Sequence, residues 1–180
     1  MEYKNIPSGE NIPENIYAII EISSQSTPVK YEINKKTGIL FVDRFIPTPL
    51  FYPCNYGYIN NTLSEDKDPL DVLVVSPYPL QPKSVILCNP IGILNMEDES
   101  GKDPKIIAIP NKKISKIYKN IKNITDLPKI IKNQIQFFFK NYKKLEKKKW
   151  VKIKNWGGVK EAKKEILNSI KRKKIGKLYV

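Results

Sequence analysis

Three aspartates within six residues are the part of this sequence best suited to chemistry. Asp66, Asp68 and Asp71 are followed at once by the apolar run Val72 to Val75, which is short and β-branched and therefore predicts a buried strand. Pro69 restricts the backbone of Asp68 to an extended conformation, so the carboxylates enter this strand from a stiff turn. Carboxylates this close repel one another, whereas a hard divalent cation such as Mg²⁺ binds several at once. A solvated acidic turn is the alternative, and these residues alone leave both interpretations open.

A second acidic segment lies between two other predicted strands. Residues 97–103 carry four carboxylates between an apolar stretch at residues 84–96 and a strand predicted over residues 105–109. Pro90 and Gly92 predict a break in the first of these strands. Two acidic loops at strand ends of one small barrel or sheet have the geometry of a metal site if they face each other.

The missing residue types exclude several kinds of site. The sequence contains no histidine, which rules out a Ser-His-Asp triad, a Cys-His pair and a His-ligated zinc site. Cys54 and Cys88 form no CxxC unit and are expected to be buried free thiols in a reducing compartment. There is no leader-like N-terminus and no run of 18 apolar residues, so we expect a cytoplasmic protein without a membrane span.

The formal net charge of +14 is distributed unevenly. Residues 1–110 have a net charge of −5, whereas residues 111–180 have a net charge of +19. Such an excess is typical of proteins that bind nucleic acid or an anionic surface. Nearly all of these cations are lysines, with only Arg44 and Arg172 as arginines, and this pattern also indicates drift towards AT-rich codons. The net charge is therefore weak support for a nucleic-acid partner.

The predicted elements before the first acidic segment are strands. Residues 15–22 form an apolar strand ending near Glu21, and residues 29–33 alternate in polarity. Residues 39–44 return as the second strand of a hairpin. In the strand at residues 29–33, Lys30 and Glu32 are expected on one face and the apolar residues on the other.

An aromatic segment at residues 51–59 follows this hairpin. Phe51 and Tyr58 are expected in the core, because clustered aromatic residues beside Pro and Gly usually pack there. Tyr52 and Tyr56 are expected either in the core or with their hydroxyl groups at a polar site, and the spacing does not decide between these.

The C-terminal part changes to helical periodicity. Asp126 is predicted to cap a helix whose apolar stripe recurs at spacings of four and three residues. The stripe consists of Ile131, Ile135, Phe138, Tyr142 and Leu145. A short strand at residues 150–154 and an amphipathic helix at residues 158–171 follow. No repeat or long linker divides the chain, so we expect one α+β domain over residues 1–180, ending in a basic tail at residues 171–180.

The segment Asp66 to Val72 resembles the D-x-D-P-x-D-x motif of bacterial-type family I soluble inorganic pyrophosphatases. The resemblance extends from Ile6 to about Lys164 through further ungapped motifs in the same order. These are Lys30-Tyr31-Glu32, Phe41 to Arg44, Phe51 to Ile59, Pro77-Tyr78-Pro79, Asp98 to Lys105 and Tyr142-Lys143. It implies a distorted five-stranded β-barrel of OB-like type with two helices packed outside. Lys67 departs from the small or turn-forming residue usual in the family and is expected to place a cation near the metal loop.

The resemblance implies hydrolysis of pyrophosphate by a water molecule that several Mg²⁺ ions activate. The implied metal ligands are Asp66, Asp71, Asp98, Asp103, Glu21 and Glu32. Of these, Asp66, Asp71 and Asp103 correspond to ligands of the first activating ion, and Asp71 bridges to the second. Asp68 corresponds to the base that accepts the proton of the water.

The resemblance also implies a set of groups that bind the phosphates of the substrate. These are Lys30, Arg44, Tyr56, Tyr142 and Lys143, with Tyr52 and Lys105 as supporting residues. Cations and hydroxyl donors suit this task because they stabilise the charge that develops on the leaving phosphate. For Tyr142 this replaces the interpretation as a core residue alone, since its hydroxyl group would reach the site while its ring packs.

Assembly and two alternative functions complete the sequence-based expectations. Bacterial members of the family are usually hexamers, so the resemblance implies a homo-oligomer, and a hexamer is favoured. The net charge of +19 in residues 111–180 argues in the opposite direction, because like charges near an interface repel. The alternative functions are a basic OB-like nucleic-acid-binding module and a catalytically impaired relative in which Lys67 has altered the site.

Overall fold

The computed structural model of the chain describes the backbone of residues 3–178 and the side chains of residue 3 and residues 5–176. Short 3-10 turns lie at Tyr3–Asn5 and Ile124–Asp126. The strands are β1 (Ile16–Ile22), β2 (Val29–Ile33), β3 (Leu40–Phe45), β4 (Asn55–Ile59), β5 (Asp71–Val74), β6 (Val85–Asp98), β7 (Gly101–Lys102), β8 (Lys105–Pro110) and β9 (Val151–Gly158). The helices are α1 (Lys129–Asn141) and α2 (Val159–Leu178).

Five strands close into a ring in the order β1-β4-β5-β8-β6, because β6 pairs again with β1. The pairing of β5 with β8 is parallel, and the other four pairings are antiparallel. Beyond the ring, β6 continues far enough to pair with β7 and β9. The ring is uneven, since its strands range from four to 14 residues. This confirms the prediction of a distorted five-stranded barrel with two helices outside.

Both faces of the central ring strands are buried. Leu73 packs in a cluster that contains Phe139 of α1. Its neighbour Val72 packs in a second cluster that contains Ile166 of α2. Because each face of β5 has its own apolar partner, its sequence is a continuous apolar run instead of an alternating one.

The hairpin of β2 and β3 forms a separate two-stranded sheet beside the ring. A small cluster of Ile19, Ile33 and Tyr58 packs the hairpin against the ring. The register of β1 shifts between Ile20 and Ile22, so Glu21 occupies a bulge. A bulge redirects the side chain of its extra residue, and here the Glu21 carboxylate accepts a hydrogen bond of 2.7 Å from the backbone N–H of Ile33. The joint between ring and hairpin is thus partly polar.

Two predicted element boundaries were wrong. The strand expected to break at Pro90 and Gly92 is continuous as β6, because the ladder absorbs these residues in a register shift. Asp126 does not cap α1. It belongs to the preceding 3-10 turn, where its side chain and that of Asn123 form a reciprocal capping box. α1 begins after Pro128, which offers no side-chain cap but is compatible with the first turn of a helix.

Two residues predicted for the core are exposed. Leu145 is 66% exposed because α1 ends at Asn141, so the helical stripe does not extend to it. Phe51 is 56% exposed, whereas Tyr58 from the same aromatic segment is buried as predicted. Phe139, which lies off the predicted stripe, is buried instead.

The C-terminal elements are longer than predicted. β9 continues to Gly158, and α2 extends from Val159 to Leu178. Residues 171–178 of the predicted basic tail therefore continue the helix, and residues 179 and 180 lie outside the described residues. Within the described part of the chain, neither helix combines the length and the apolar character required to cross a bilayer.

Candidate active site

A polar cleft of about 350 Å³ opens between the ring, the hairpin and the segment that follows α1. Its walls contain every predicted site residue except Tyr52. These are Glu21, Lys30, Glu32, Arg44, Tyr56, Asp66, Asp68, Asp71, Asp98, Asp103, Lys105, Tyr142 and Lys143. The structure therefore brings together residues that the sequence separates by more than 100 positions.

The ends of the ring strands position the centre of this cleft. Asp71 and Lys105 are the first residues of β5 and β8, and the parallel register pairs them directly. Asp98 is the last residue of β6. The backbone N–H of Asp103 donates to the Met96 carbonyl at 3.0 Å, which folds the second acidic loop back onto β6. The two acidic loops consequently face each other across β5 and β8.

Lys105 is the cationic centre of the cleft floor. Its side chain is 3% exposed, and its ammonium group contacts the carboxylates of both Asp71 and Asp103. Burial by itself would lower the pKa of Lys105, but these two carboxylates raise it well above its usual range. The Tyr56 hydroxyl group donates to Asp71 Oδ2 at 2.6 Å. Burial, with Asp71 beside it, raises the pKa of Tyr56 far above normal, so this hydroxyl group remains protonated.

The first acidic loop contains carboxylates without cationic partners. The Asp68 backbone N–H donates to Asp66 Oδ1 at 3.0 Å, and Lys67 between them has a φ of 74°. That conformation favours small or turn-forming residues, but the exposed Lys67 side chain does not line the cleft. Among the described residues, neither Asp66 nor Asp68 forms a salt bridge. Partial desolvation raises the pKa of both carboxyl groups, although Asp68 is exposed, and the nearby Asp71 carboxylate adds to this effect.

The second acidic loop has its charges paired. Asp98 accepts hydrogen bonds from Lys143 Nζ at 2.6 Å and from the Ser100 backbone N–H at 2.8 Å. Glu99 also contacts Lys143, at 3.1 Å. Burial would raise the pKa of Asp98, but these donors lower it below its usual value. At Asp103, burial prevails over the opposing effect of Lys105 and raises the pKa to about 6.

The hairpin supplies the cationic side of the cleft. Lys30 contacts Glu32 and lies 3.4 Å from Asp43. Arg44 pairs with Asp43 at 2.6 Å and with Glu146 at 3.3 Å. Burial by itself would lower the pKa of both cations, but the neighbouring carboxylates raise the pKa of each above its usual value. They are therefore fixed positive charges at the mouth of the cleft.

The two remaining tyrosines differ in position. Tyr142 lies at the end of α1, where its ring stacks on Phe138 with centroids 5.2 Å apart, and it also lines the cleft. Burial raises its pKa well above the usual value. Tyr52 lies below the cleft in the core, with its ring 5.3 Å from that of Tyr56 and 4.6 Å from that of Phe138. It supports Tyr56 through packing.

Several charged residues at the cleft were not identified from the sequence. Lys35 lines it, with its ammonium group 2.8 Å from Glu21 Oε1 and 3.4 Å from the centroid of the Tyr58 ring. Glu146 joins Arg44 to Lys149, whose ammonium group is 2.6 Å from it. No spacing signal distinguishes these residues from other surface charges, because their positions depend on turns that follow a hairpin strand and α1.

The donor chemistry of the cleft fits a hard divalent cation. Its possible ligands are carboxylate oxygens, which Mg²⁺ prefers, and Asp66 and Asp68 lack compensating cations. Within residues 3–178, no three carboxylate or thiol side chains converge as a ready-made ligand set. The space between Asp71 and Asp103 is bridged instead by the Lys105 ammonium group. The oxygen ligands therefore suit Mg²⁺ in type and lie near one another. The ammonium group of Lys105 lies between Asp71 and Asp103, where a metal ion would be held.

Comparisons with known proteins show which family this chain resembles. A model of the inorganic pyrophosphatase family matches residues 18–174. An inorganic pyrophosphatase of Buchnera aphidicola subsp. Schizaphis graminum is 63% identical over 174 residues, which cover 97% of each chain. That of Escherichia coli strain K12 is 56% identical over 174 residues, covering 97% of this chain and 99% of the relative.

Solved structures share the fold over almost the full chain. An inorganic phosphatase from Anaplasma phagocytophilum superimposes with a TM-score of 0.93 at 47% identity, covering 94% of this chain and 99% of the other. An inorganic pyrophosphatase from Thermus thermophilus gives a TM-score of 0.88 at 40% identity, covering 97% and 99% respectively.

Proposed function

The chain belongs to the inorganic pyrophosphatase family and hydrolyses inorganic pyrophosphate, and we propose that Mg²⁺ ions held by its two acidic loops activate the reaction. The observation that carries this proposal is the polarity of the cleft. Carboxylates without cationic partners lie on the first acidic loop, whereas Lys30 and Arg44 lie on the hairpin. Metal-complexed pyrophosphate carries both cations and anionic oxygens, so it complements both sides.

The proposed metal ligands are the carboxylates of the two loops and of the bulge and hairpin. They are Asp66, Asp71, Asp98, Asp103, Glu21 and Glu32, with Asp66, Asp71 and Asp103 for the first ion. When bound, Mg²⁺ lowers the pKa of coordinated water and neutralises charge on phosphoryl oxygens. The raised pKa of Asp66 and Asp103 supports this assignment, because a site that disfavours several negative charges at once favours a bound cation.

The cationic and hydroxyl groups of the cleft are proposed to bind the phosphates. The set comprises Lys30, Arg44, Tyr56, Tyr142 and Lys143, with Lys105 in support. Pairing with carboxylates fixes Lys30 and Arg44 in the open cleft, and burial keeps the hydroxyl groups of Tyr56 and Tyr142 protonated. Fixed donors stabilise the charge that develops on the leaving phosphate without reorganising during the reaction.

Asp68 is proposed as the base that accepts a proton from the attacking water. Its carboxylate lines the cleft between Asp66 and Asp71 along the chain, yet it has no salt bridge within the described residues. Partial desolvation, with the nearby Glu32 and Asp71, raises its pKa, which moves the carboxyl group closer to the range suited to a base near neutral pH. No side chain needs to attack phosphorus.

The test is phosphate release from pyrophosphate by the purified protein. EDTA should abolish release and added Mg²⁺ should restore it, because no histidine or accessible thiolate is present to replace a metal. Hydrolysis that persists in EDTA would contradict the metal assignment. Absence of release with any divalent cation would favour a catalytically impaired relative.

We propose that the protein forms a homo-oligomer, with a hexamer favoured, and acts in the cytoplasm. Phe41, Val42 and Phe45 are exposed on β3, and Phe51 and Phe137 are exposed at an apolar groove elsewhere. Exposed apolar patches of this kind mark interaction surfaces. Light scattering that shows only a 20.8 kDa monomer at all salt concentrations would refute the assembly. The buried free thiols of Cys54 and Cys88 suit a reducing compartment.

A nucleic-acid partner is not proposed. The walls of the cleft carry eight carboxylates and six cationic side chains, and the carboxylates would repel a phosphodiester backbone in the absence of metal. Any binding of DNA or RNA by the lysines of residues 111–180 should be weak and should fall steeply with salt. Tight binding that persists at several hundred millimolar salt would contradict this.

A further inference from the structure

Lys105 differs from the other lysines of the cleft in the identity of its partners. Its ammonium group is buried between Asp71 and Asp103, and both carboxylates belong to the proposed ligand set of the first metal ion. The partners of the other cleft lysines lie outside that first-ion set: Lys143 pairs with Asp98 and Glu99, Lys30 with Glu32 and Asp43, and Lys35 with Glu21. Within residues 3–178, Lys105 is the only cation that pairs with either Asp71 or Asp103.

The backbone fixes the ammonium group at this place. Asp71 and Lys105 are direct partners in the parallel pairing of β5 and β8, and Asp103 lies two residues before Lys105. All three residues therefore meet at one end of the ring. Without a cation, two carboxylates at this buried place would repel each other and would each lose solvation.

We propose that Lys105 is a tethered counterion, which holds Asp71 and Asp103 together in the metal-free protein and competes with Mg²⁺ for their oxygens. This inference rests on the proposed metal role of these two aspartates. A single positive charge so close to the site repels an arriving divalent ion. Lys105 therefore lowers the affinity of the site for Mg²⁺, but it keeps the two carboxylates in place before the metal ion binds.

Lys105→Met tests the proposal, because it keeps the length of the side chain and removes the charge. Mg²⁺ binding is measured by titration calorimetry without pyrophosphate, and thermal unfolding is measured in EDTA and in saturating Mg²⁺. We expect the Kd for Mg²⁺ to fall about tenfold or more, because a repelling charge has been removed. We expect the Tm in EDTA to fall by about 6–12 °C and most of this loss to be recovered in Mg²⁺, because a buried pair has lost one partner.

Lys102→Met is the matched control. It removes the same charge three positions away, from an exposed side chain whose partner is Glu65 at 3.3 Å. Its Kd for Mg²⁺ and its Tm in both conditions should equal those of the wild type. A tenfold gain in Mg²⁺ affinity in this control as well would show a general charge effect and would overturn the specific role of Lys105.

The remaining outcomes separate this inference from the proposed function. If the wild type binds Mg²⁺ but Lys105→Met binds it equally or more weakly, the counterion role is wrong and the metal assignment stands. If the wild type does not bind Mg²⁺ at all, the metal assignment fails and the inference fails with it. If Lys105→Met is unfolded in EDTA, circular dichroism decides: refolding in Mg²⁺ supports the proposal, and no refolding overturns it.

Discussion

The two acidic loops of the cleft are both rich in carboxylates, but Asp66 and Asp68 of the first loop and Asp98 of the second lie in opposite electrostatic environments. In the first loop, Asp66 and Asp68 have no salt bridge within the described residues, and partial desolvation raises the pKa of both carboxyl groups. In the second loop, Asp98 is held by Lys143 at 2.6 Å, and its pKa is lowered. Asp71 and Asp103 connect the loops through the ammonium group of Lys105.

This difference separates carboxylates that are available for reaction from those whose charge is already compensated. A carboxylate without a cation, at a raised pKa, gains most from a metal ion or from taking a proton. A carboxylate paired with a buried lysine contributes to the stability of the folded protein, because removing it strands the lysine. The first loop is therefore expected to control chemistry, and the second loop both chemistry and stability.

The largest expected effect concerns Asp68 in the first loop. Asp68→Asn keeps the size of the side chain but cannot act as a base near neutral pH, so kcat should fall by roughly 10²–10⁴-fold, or about 3–5.5 kcal/mol in barrier height. The rate of phosphate release at saturating Mg²⁺ measures this. Part of the loss should be recovered at higher pH, where water ionises more readily. Near-wild-type turnover at neutral pH would place the base elsewhere.

Asp66→Asn and Asp71→Asn serve as the matched comparison for Asp68→Asn. Both residues are proposed metal ligands, so their replacement should shift the Mg²⁺ concentration required for half-maximal rate upward. Asp68→Asn should leave that concentration nearly unchanged. If all three variants shift the Mg²⁺ requirement equally, Asp68 is a ligand and its assignment as a base is wrong.

A smaller effect concerns stability and contrasts the two loops directly. Asp98 and Lys143 are each 8% exposed at the side chain, so Asp98→Asn leaves a buried ammonium group with Glu99 as its remaining partner. We expect a loss of about 2–3 kcal/mol in the free energy of unfolding in EDTA, since breaking a fully buried pair costs about 3–5 kcal/mol. Asp66→Asn removes a carboxylate without a salt bridge and should cost nothing. Urea unfolding of both variants measures the difference, and equal losses would remove the distinction between the loops.

The smallest expected effect is a pH dependence assigned to Asp103. Its pKa is raised to about 6 in the folded protein, above the value of about 3.9 in an unfolded chain. Its contribution to stability is therefore fully present below about pH 4 and is lost as the pH rises through about 6. Urea unfolding in EDTA from pH 4 to pH 7 should show this slope in the wild type and a weaker slope in Asp103→Asn. Identical slopes would contradict the raised pKa.

The prediction from sequence succeeded where local pattern decides the structure. The strands over residues 15–22, 29–33 and 105–109 were located to within one residue, because each is an apolar or alternating run bounded by turn residues. The candidate site residues of the motif segments, except Tyr52, line one cleft. The prediction that Asp126 caps α1 was wrong, because Asp126 belongs to the 3-10 turn that precedes the helix. The prediction that Leu145 is buried was wrong, because the apolar periodicity continues in the sequence after α1 has ended at Asn141.

The sequence alone determined which residue types are available for the proposed chemistry. It placed carboxylates at strand ends and excluded histidine-based mechanisms, since residue type and spacing along one chain are local properties. Only the tertiary structure decided which carboxylates are paired. The closed ring and the parallel register of β5 and β8 bring Lys105 to Asp71, and the turn after α1 brings Lys143 to Asp98. Pairing depends on distances across the fold, and these follow from the packing of distant segments, which local sequence patterns do not encode.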